Sequence, residues 1–217
     1  MLDVDGTLID SNDAHARAWC EAFAEHHIDI PFDKVRPLIG MGGDKVVPLV
    51  SGLSAEKDEG EEIAKLRKKI FKEKYLPHLK PFPKVRELLE RMRVDGLRLA
   101  IATSGEKDDL AGLIKQAGVA DLIDVTVTSS DVEQSKPDPD IIAAALAKLG
   151  LPANEVIMIG DTAYDVEAAA KAGVATIGLR CGGSTDRDLE KAIAIYDSTA
   201  DLLAKYDTSP LARARRA

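Results

Sequence analysis

An α/β architecture is predicted for this chain: a parallel sheet covered by helices on both faces, broken near its start by an inserted bundle of helices. Two patterns carry that prediction. Beyond residue 80 come four short, nearly continuous apolar runs, LRLAIAT (97–103), IDVTVTS (123–129), EVIMIG (155–160) and VATIGL (174–179). Turn residues and then an alanine- and leucine-rich helical stretch follow each run, the alternation that builds a parallel sheet with both faces buried. Before residue 80 the apolar residues recur at helical spacing, at Ala14, Ala18 and Phe23 and again at Ile63, Leu66 and Ile70, with no strand-like run between them. The 217 residues suit one large domain carrying an insertion. The expected boundaries are 1–12 and 80–217 for the sheet part and 13–79 for the helices. The proline-punctuated PHLKPFPKV, from Pro77 to Val85, ends the helical segment, and the glycine-rich IGMGGDK, from Ile39 to Lys45, breaks it internally.

Charge and composition exclude several roles. The chain has 29 basic and 37 acidic residues, a net charge of −8 spread along its length. Nucleic acid and anionic membrane are therefore not expected partners. The basic tail, Arg213, Arg215 and Arg216, reads as a solvated end. Cys20 and Cys181 are the only cysteines, with no Cys-x-x-Cys spacing, and no apolar run approaches the roughly 18 residues of a membrane helix. A cytoplasmic protein with reduced thiols is the expectation, acting as monomer or homodimer.

In parallel α/β sheets reactive groups collect at the carboxyl ends of the strands. Four polar clusters fall there: DVDGT at the start, TSG (Thr103 to Gly105), SKPDP (Ser135 to Pro139) and GDTAYD (Gly160 to Asp165). If they converge, Asp3, Asp5, Asp161 and Asp165 crowd one crevice, which is electrostatically untenable without a cation or protonation. Mg²⁺ resolves the conflict, since it takes a few carboxylates together with waters and a substrate phosphate. Lys136 adds a positive charge for a phosphoryl oxygen or an ionised carboxylate, and Thr103 and Ser104 supply hydroxyl donors. That set suits phosphoryl transfer. Asp3 would attack and form an aspartyl-phosphate; Asp5 would protonate the leaving alkoxide and later deprotonate the hydrolytic water.

DVDGTL, ATSG, SKPDPD and GDTAYD, in this order and each after a strand-like run, resemble the four motifs of the haloacid dehalogenase-like hydrolases. The resemblance spans nearly the whole chain and implies a Rossmann-like core with a small α-helical cap, as in the subgroup of phosphoglycolate phosphatase and β-phosphoglucomutase. It implies Asp3 as nucleophile, Asp5 as general acid/base, and Thr103 and Lys136 as the phosphoryl-binding pair. Asp3, the backbone carbonyl of Asp5 and Asp161 would hold Mg²⁺, with Asp165 supporting the site. The dehalogenases of the family lack the second aspartate and use no metal, so Asp5 favours phosphate chemistry. In the mutase an arginine follows the cap-loop glycine by three residues; counted from Gly40, this chain has Gly43, which favours a hydrolase. Lys45 is out of register with the imine-forming lysine of phosphonoacetaldehyde hydrolase.

Two cap features have alternative readings. His15 either faces the site and gates Asp5 or sits on a helix surface. Arg36, Gly40, Gly42 and Gly43 either close over the substrate as a lid or form a flexible turn between helices; Ser104 and Gly105 are further expected substrate contacts. Trp19, Phe23, Leu66 and Phe71 are expected in the core of the bundle, and Gly182 and Gly183 in a turn at the same sheet edge as the site.

The expected activity is Mg²⁺-dependent hydrolysis of a small phosphomonoester, phosphoglycolate or a sugar phosphate. The alternatives are a phosphomutase and a catalytically impaired binding protein. The last draws on the first strand, which offers only Met1 and Leu2 before Asp3. A central strand that short would lose ladder hydrogen bonds and core packing, each worth around 1 kcal/mol, so a natural start upstream of Met1 is expected.

Overall fold

The computed structural model describes residues 1–213. Arg215 and Arg216 of the basic tail, and the side chain of Arg213, lie outside the described residues. The strands are β1 (Ala100–Ala102), β2 (Val125–Val127), β3 (Ile157–Gly160), β4 (Ala175–Leu179) and β5 (Ala194–Tyr196). β1 pairs in parallel with β2, and β4 pairs in parallel with β3 and β5. The N-terminal stub joins these two groups, because Leu2 bridges Ile101 on one side and Ile159 on the other, both in parallel. The spatial order is therefore β2, β1, stub, β3, β4, β5, with the stub in the centre.

The stub pairs on both edges. Leu2 N donates to Ala100 O at 2.8 Å and Ala102 N to Leu2 O at 2.9 Å, while Asp3 N donates to Ile159 O and Ile159 N to Met1 O, each at 2.9 Å. The Met1 ammonium takes the last place in the ladder, donating to Ile157 O at 2.7 Å. Its burial lowers its pKa to about 5. The ladder loss expected of so short a strand is not seen at these three residues.

Period-two alternation divides the strand side chains between the two faces. Leu2, Ile101 and Ile159 belong to a core completed by Leu88 and Leu89 of α5 (Val85–Val94), Leu113 of α6 (Lys107–Gln116) and Leu202 of α9 (Thr199–Ala204). Met1, Ala100, Ala102 and Met158 face the other way, onto Ile141 and Ile142 of α7 (Asp140–Leu149) and Ala168 and Ala169 of α8 (Ala163–Lys171). A further helix, α10 (Pro210–Arg213), closes the described chain. β5 has no counterpart among the expected strands. Its three residues follow the charged stretch TDRDLEK, and only pairing with β4 marks them as a strand.

No strand occurs between residues 13 and 79. This segment holds α1 (Asn12–Glu25), α2 (Phe32–Val35), α3 (Gly43–Ser51) and α4 (Asp58–Ile70), which bury Trp19, Phe23, Val35, Val46, Val47 and Ile63 in a cluster of their own. Leu66 is half-buried against that cluster, whereas Phe71 packs into the core beneath the sheet. α4 carries Asp58, Glu59 and Glu61 in its first turn and Arg67, Lys68 and Lys69 in its last. That polarity opposes the helix dipole at both ends and brings a cluster of cations to the end nearest the sheet.

Candidate active site

The four polar clusters converge at the carboxyl edge of the sheet. Asp3 leaves the end of the stub, and Thr103 follows β1 directly. Asp161 follows β3 and is fully buried, and Asp165 lies in the first turn of α8. Thr162 caps that helix: its hydroxyl accepts from Asp165 N, while its own N–H and O–H donate to Asp165 Oδ2 at 3.0 and 2.7 Å. The box satisfies the helix start and fixes one Asp165 oxygen, leaving Oδ1 to point at Lys136.

Lys136 is 1 % exposed, and its ammonium has three partners, one for each proton: Asp3 Oδ1, Asp165 Oδ1 and Ala102 O, all at 2.7 Å. Burial opposes its charge, but the two carboxylates prevail and raise its pKa. Thr7 Oγ1 donates to Asp161 Oδ1 at 2.8 Å, and Asn12 Nδ2 donates to Asp161 Oδ2 at 2.9 Å and to Gly182 O at 3.0 Å. Gly182 has no room for a side chain, since a Cβ there would overlap the Asp161 carboxylate.

Asp3, Asp161 and Asp165 are all buried, and one carboxylate oxygen from each lies within 4.8 Å of the others. One ammonium faces three carboxylates, so full ionisation leaves a buried charge excess. Burial raises the Asp3 pKa well above its ordinary value, with the neighbouring aspartates adding and Lys136 opposing. Burial and then Asp165 push Asp161 up to about 7. A hard-oxygen donor set with excess negative charge is what a small divalent cation requires, so these residues fit Mg²⁺.

Asp5 has a different environment. Its Oδ1 accepts from Ser11 Oγ at 2.5 Å and lies 2.7 Å from His15 Nε2. Burial would raise its pKa, but His15, Ser11 and Arg67 outweigh that and lower it. His15 is 4 % exposed and stacks on Phe71 with ring centroids 3.9 Å apart, which excludes the helix-surface reading.

A cavity of about 350 Å³ lies in front of these groups. Asp3, Asp5, His15, Thr103, Ser104 and Gly105 line it from one side and Gly40, Gly42 and Gly43 from the other. The Ser104 hydroxyl is buried with no partner of its own, which leaves it available to a substrate oxygen. The glycine loop rests on the sheet edge: Gly42 N donates to Ser135 Oγ at 3.0 Å, and Tyr164 OH donates to Pro37 O at 2.9 Å. Lys136, Asp161 and Asp165 sit behind the cavity wall. Arg36 does not line the cavity, because its guanidinium donates to Gly182 O at 2.6 Å and to Asp13 Oδ1 at 2.7 Å. Lys45 also lies outside, paired with Asp138 at 2.9 Å and with Gln134. Sequence reasoning missed Thr7, Ser11, Asn12, Arg67 and Asp109. The first three lie within a few residues of the acidic motif, so that proximity was the available signal.

The Haloacid dehalogenase-like hydrolase family matches residues 1–179. Pyrophosphatase PpaX of Bacillus velezensis is 32% identical over 181 residues, 82% of this chain and 81% of that protein. Phosphoglycolate phosphatase of Yersinia pseudotuberculosis is 31% identical over 186 residues, 83% and 80% of the two chains. Among solved structures, a hydrolase from Pseudomonas syringae superposes with a TM-score of 0.88 at 31% identity, covering 95% of this chain and 96% of that one.

Proposed function

This chain belongs to the haloacid dehalogenase-like hydrolases acting on phosphoric monoesters, and on that premise we propose a Mg²⁺-dependent phosphatase of small phosphorylated metabolites with Asp3 as its nucleophile. The observation that carries this reading is the Lys136 ammonium holding Asp3 Oδ1 at 2.7 Å inside a three-carboxylate cluster at the foot of the cavity. Lys136 aims Asp3 and opposes the burial that disfavours its ionised form, which is what a carboxylate nucleophile needs. Asp3, Asp161 and the backbone carbonyl of Asp5 would hold the ion, with Asp165 positioned through Lys136 and Thr162. When bound, the ion neutralises phosphoryl charge and completes the charge balance of the site.

A carboxylate oxygen of Asp3 attacks phosphorus; the bond from phosphorus to the ester oxygen breaks, and the leaving alkoxide takes its proton from the protonated form of Asp5, a minor form given that His15, Ser11 and Arg67 favour the carboxylate. Water then attacks the aspartyl-phosphate, Asp5 accepts a proton from it, and inorganic phosphate and free Asp3 are restored. Thr103 and Ser104 donate to the phosphoryl oxygens. The glycine loop and the helices of residues 13–79 act as the cap over a discontinuous core, 1–12 and 80–217, and choose the substrate. Phosphoglycolate and sugar phosphates are the leading candidates, in a cytoplasmic setting consistent with Cys20 and Cys181 as free thiols. No described helix is long and apolar enough to cross a membrane. The mutase alternative lacks support at Gly43, whose backbone packs against the Trp19 ring and leaves little room for a phosphate-binding side chain.

The test is a panel of phosphoglycolate, hexose phosphates and pyrophosphate, with Mg²⁺ and with EDTA. Hydrolysis of at least one monoester, lost on chelation, is expected. Turnover that persists in EDTA, or that requires an added bisphosphate, overturns the reading.

The same cluster sets a pH dependence. Asp161 has a folded-state pKa of about 7 against an ordinary value of 3.8. The folded protein therefore binds more protons than the unfolded chain between those values, and the cost of ionising Asp161 grows as pH rises through that window. Asp161 and its neighbours would be relieved of that cost by a bound Mg²⁺, for which the proton would compete. The melting temperature should accordingly rise more with Mg²⁺ at pH 8 than at pH 5, by about 5–10 °C at 100 times the Kd. The Met1 ammonium contributes oppositely, losing stability as pH falls from 8 towards 5, but it cancels in the difference with and without the ion. Equal shifts at both pH values would count against ion binding at Asp161.

A further inference from the structure

From His15 runs a chain of part-buried polar contacts, with Arg67 itself at the cavity's edge, that the phosphoryl-transfer steps do not use. Arg67, in the last turn of α4, places Nη2 2.9 Å from His15 Nδ1 and donates through Nη1 to Asp109 Oδ2 at 3.2 Å. Asp109 lies in the first turn of α6 beside the sheet and is 4 % exposed. The guanidinium lies near two aromatic rings, 5.2 Å from that of Trp19 and 5.4 Å from that of Phe71. Arginine can only donate. Its contact with Nδ1 therefore leaves that nitrogen without a proton and places the ring proton on Nε2, which donates to Asp5 Oδ1. Oδ1 also accepts from Ser11, so the proton that Asp5 exchanges with substrate belongs on Oδ2, the oxygen turned towards Gly105 at the cavity.

The geometry points to Asp109 as a positioning residue for acid–base catalysis: by anchoring Arg67 it fixes the His15 tautomer and thereby the orientation of Asp5. The contact also joins α4 of the helical segment to α6 of the sheet part, alongside Lys68–Glu106 at 2.5 Å. Docking of the helices and alignment of the acid are then one event. An Asp109 that merely held the helices down would affect every substrate alike; one that orients the acid matters most when the leaving group needs a proton.

This inference rests on Asp5 as the general acid, and leaving-group dependence tests the two separately. kcat/KM is measured for the best alkyl phosphate of the panel and for p-nitrophenyl phosphate, whose phenolate departs without protonation. Asp5→Asn, the reference, should depress the alkyl substrate far more than the aryl one. Asp109→Asn should shift the alkyl-to-aryl ratio in the same direction by about ten-fold, part of the hundred-fold or more that an acid supplies. Asp109→Glu should recover part of the loss. Arg67→Met, which breaks the chain from its other end, should reproduce the shift and serves where Asp109→Asn fails to fold. A shift with Asp5→Asn but none with either Asp109→Asn or Arg67→Met overturns the role of Asp109 and leaves the proposed mechanism standing. No shift with Asp5→Asn overturns both.

Discussion

Asp3→Asn removes turnover by about 10⁴-fold or more, the scale of losing a covalent nucleophile, and it does so without weakening the fold. The two outcomes follow from the same crowding. Three buried carboxylates share one ammonium, and ionisation of Asp3 is penalised by burial and by Asp165, Asp161 and Asp5. Asparagine keeps the shape, and its carbonyl can still accept from Lys136, but it removes one negative charge from the cluster. The metal-free variant should therefore melt at or above the wild-type temperature. Activity and stability moving in opposite directions marks a strained functional group rather than a structural one. Steady-state turnover on the best monoester, paired with thermal melts in EDTA, checks both halves. Residual activity above about 1% would remove Asp3 from the nucleophile's place, because Asp165, the other carboxylate held by Lys136, is tied to Thr162 and does not line the cavity.

The sequence disclosed the parts that physical chemistry makes local. Buried parallel strands read as unbroken apolar runs, which is why β1 to β4 stand out and the three-residue β5 does not. Asp3, Asp5, Thr103 and Asp161 fall at or just past strand ends, where topology brings them together, while Lys136 arrives on the loop between β2 and α7 and Asp165 on the first turn of α8. His15 lay open between two readings because one residue on a helix does not say which face is buried; its stacking on Phe71, 56 positions later, decides that. Arg36 was expected at the substrate, yet Gly182 and Asp13 claim its guanidinium, a competition visible only once distant loops meet. Arg67 and Asp109, 42 positions apart, have no motif at all, and Arg67 reads as one cation of a basic helix end. Contacts of that kind depend on how the helical segment docks on the sheet, which periodicity does not encode.

Lys136→Met should harm both fold and function, in contrast to Asp3→Asn. Each ammonium proton is committed at 2.7 Å, to Asp3, Asp165 and the carbonyl of Ala102. Methionine fills a similar volume but strands two buried carboxylates and a backbone acceptor. Breaking a buried ion pair from one side costs about 3–5 kcal/mol, which lowers the melting temperature by about 10 °C for a chain of this size. Activity should fall by roughly 10³-fold or more, because the charge that orients the nucleophile and meets the phosphoryl group is gone. If stranded charge is the cause, neutralising one partner should repair the fold: Lys136→Met with Asp165→Asn should melt higher than Lys136→Met alone, a non-additive result readable in a double-mutant cycle. Turnover should stay low in the double variant, since the nucleophile still lacks its ammonium. Additive losses in stability would instead mean that Lys136 acts through packing of its side chain, and the electrostatic account of the cluster would fail with it.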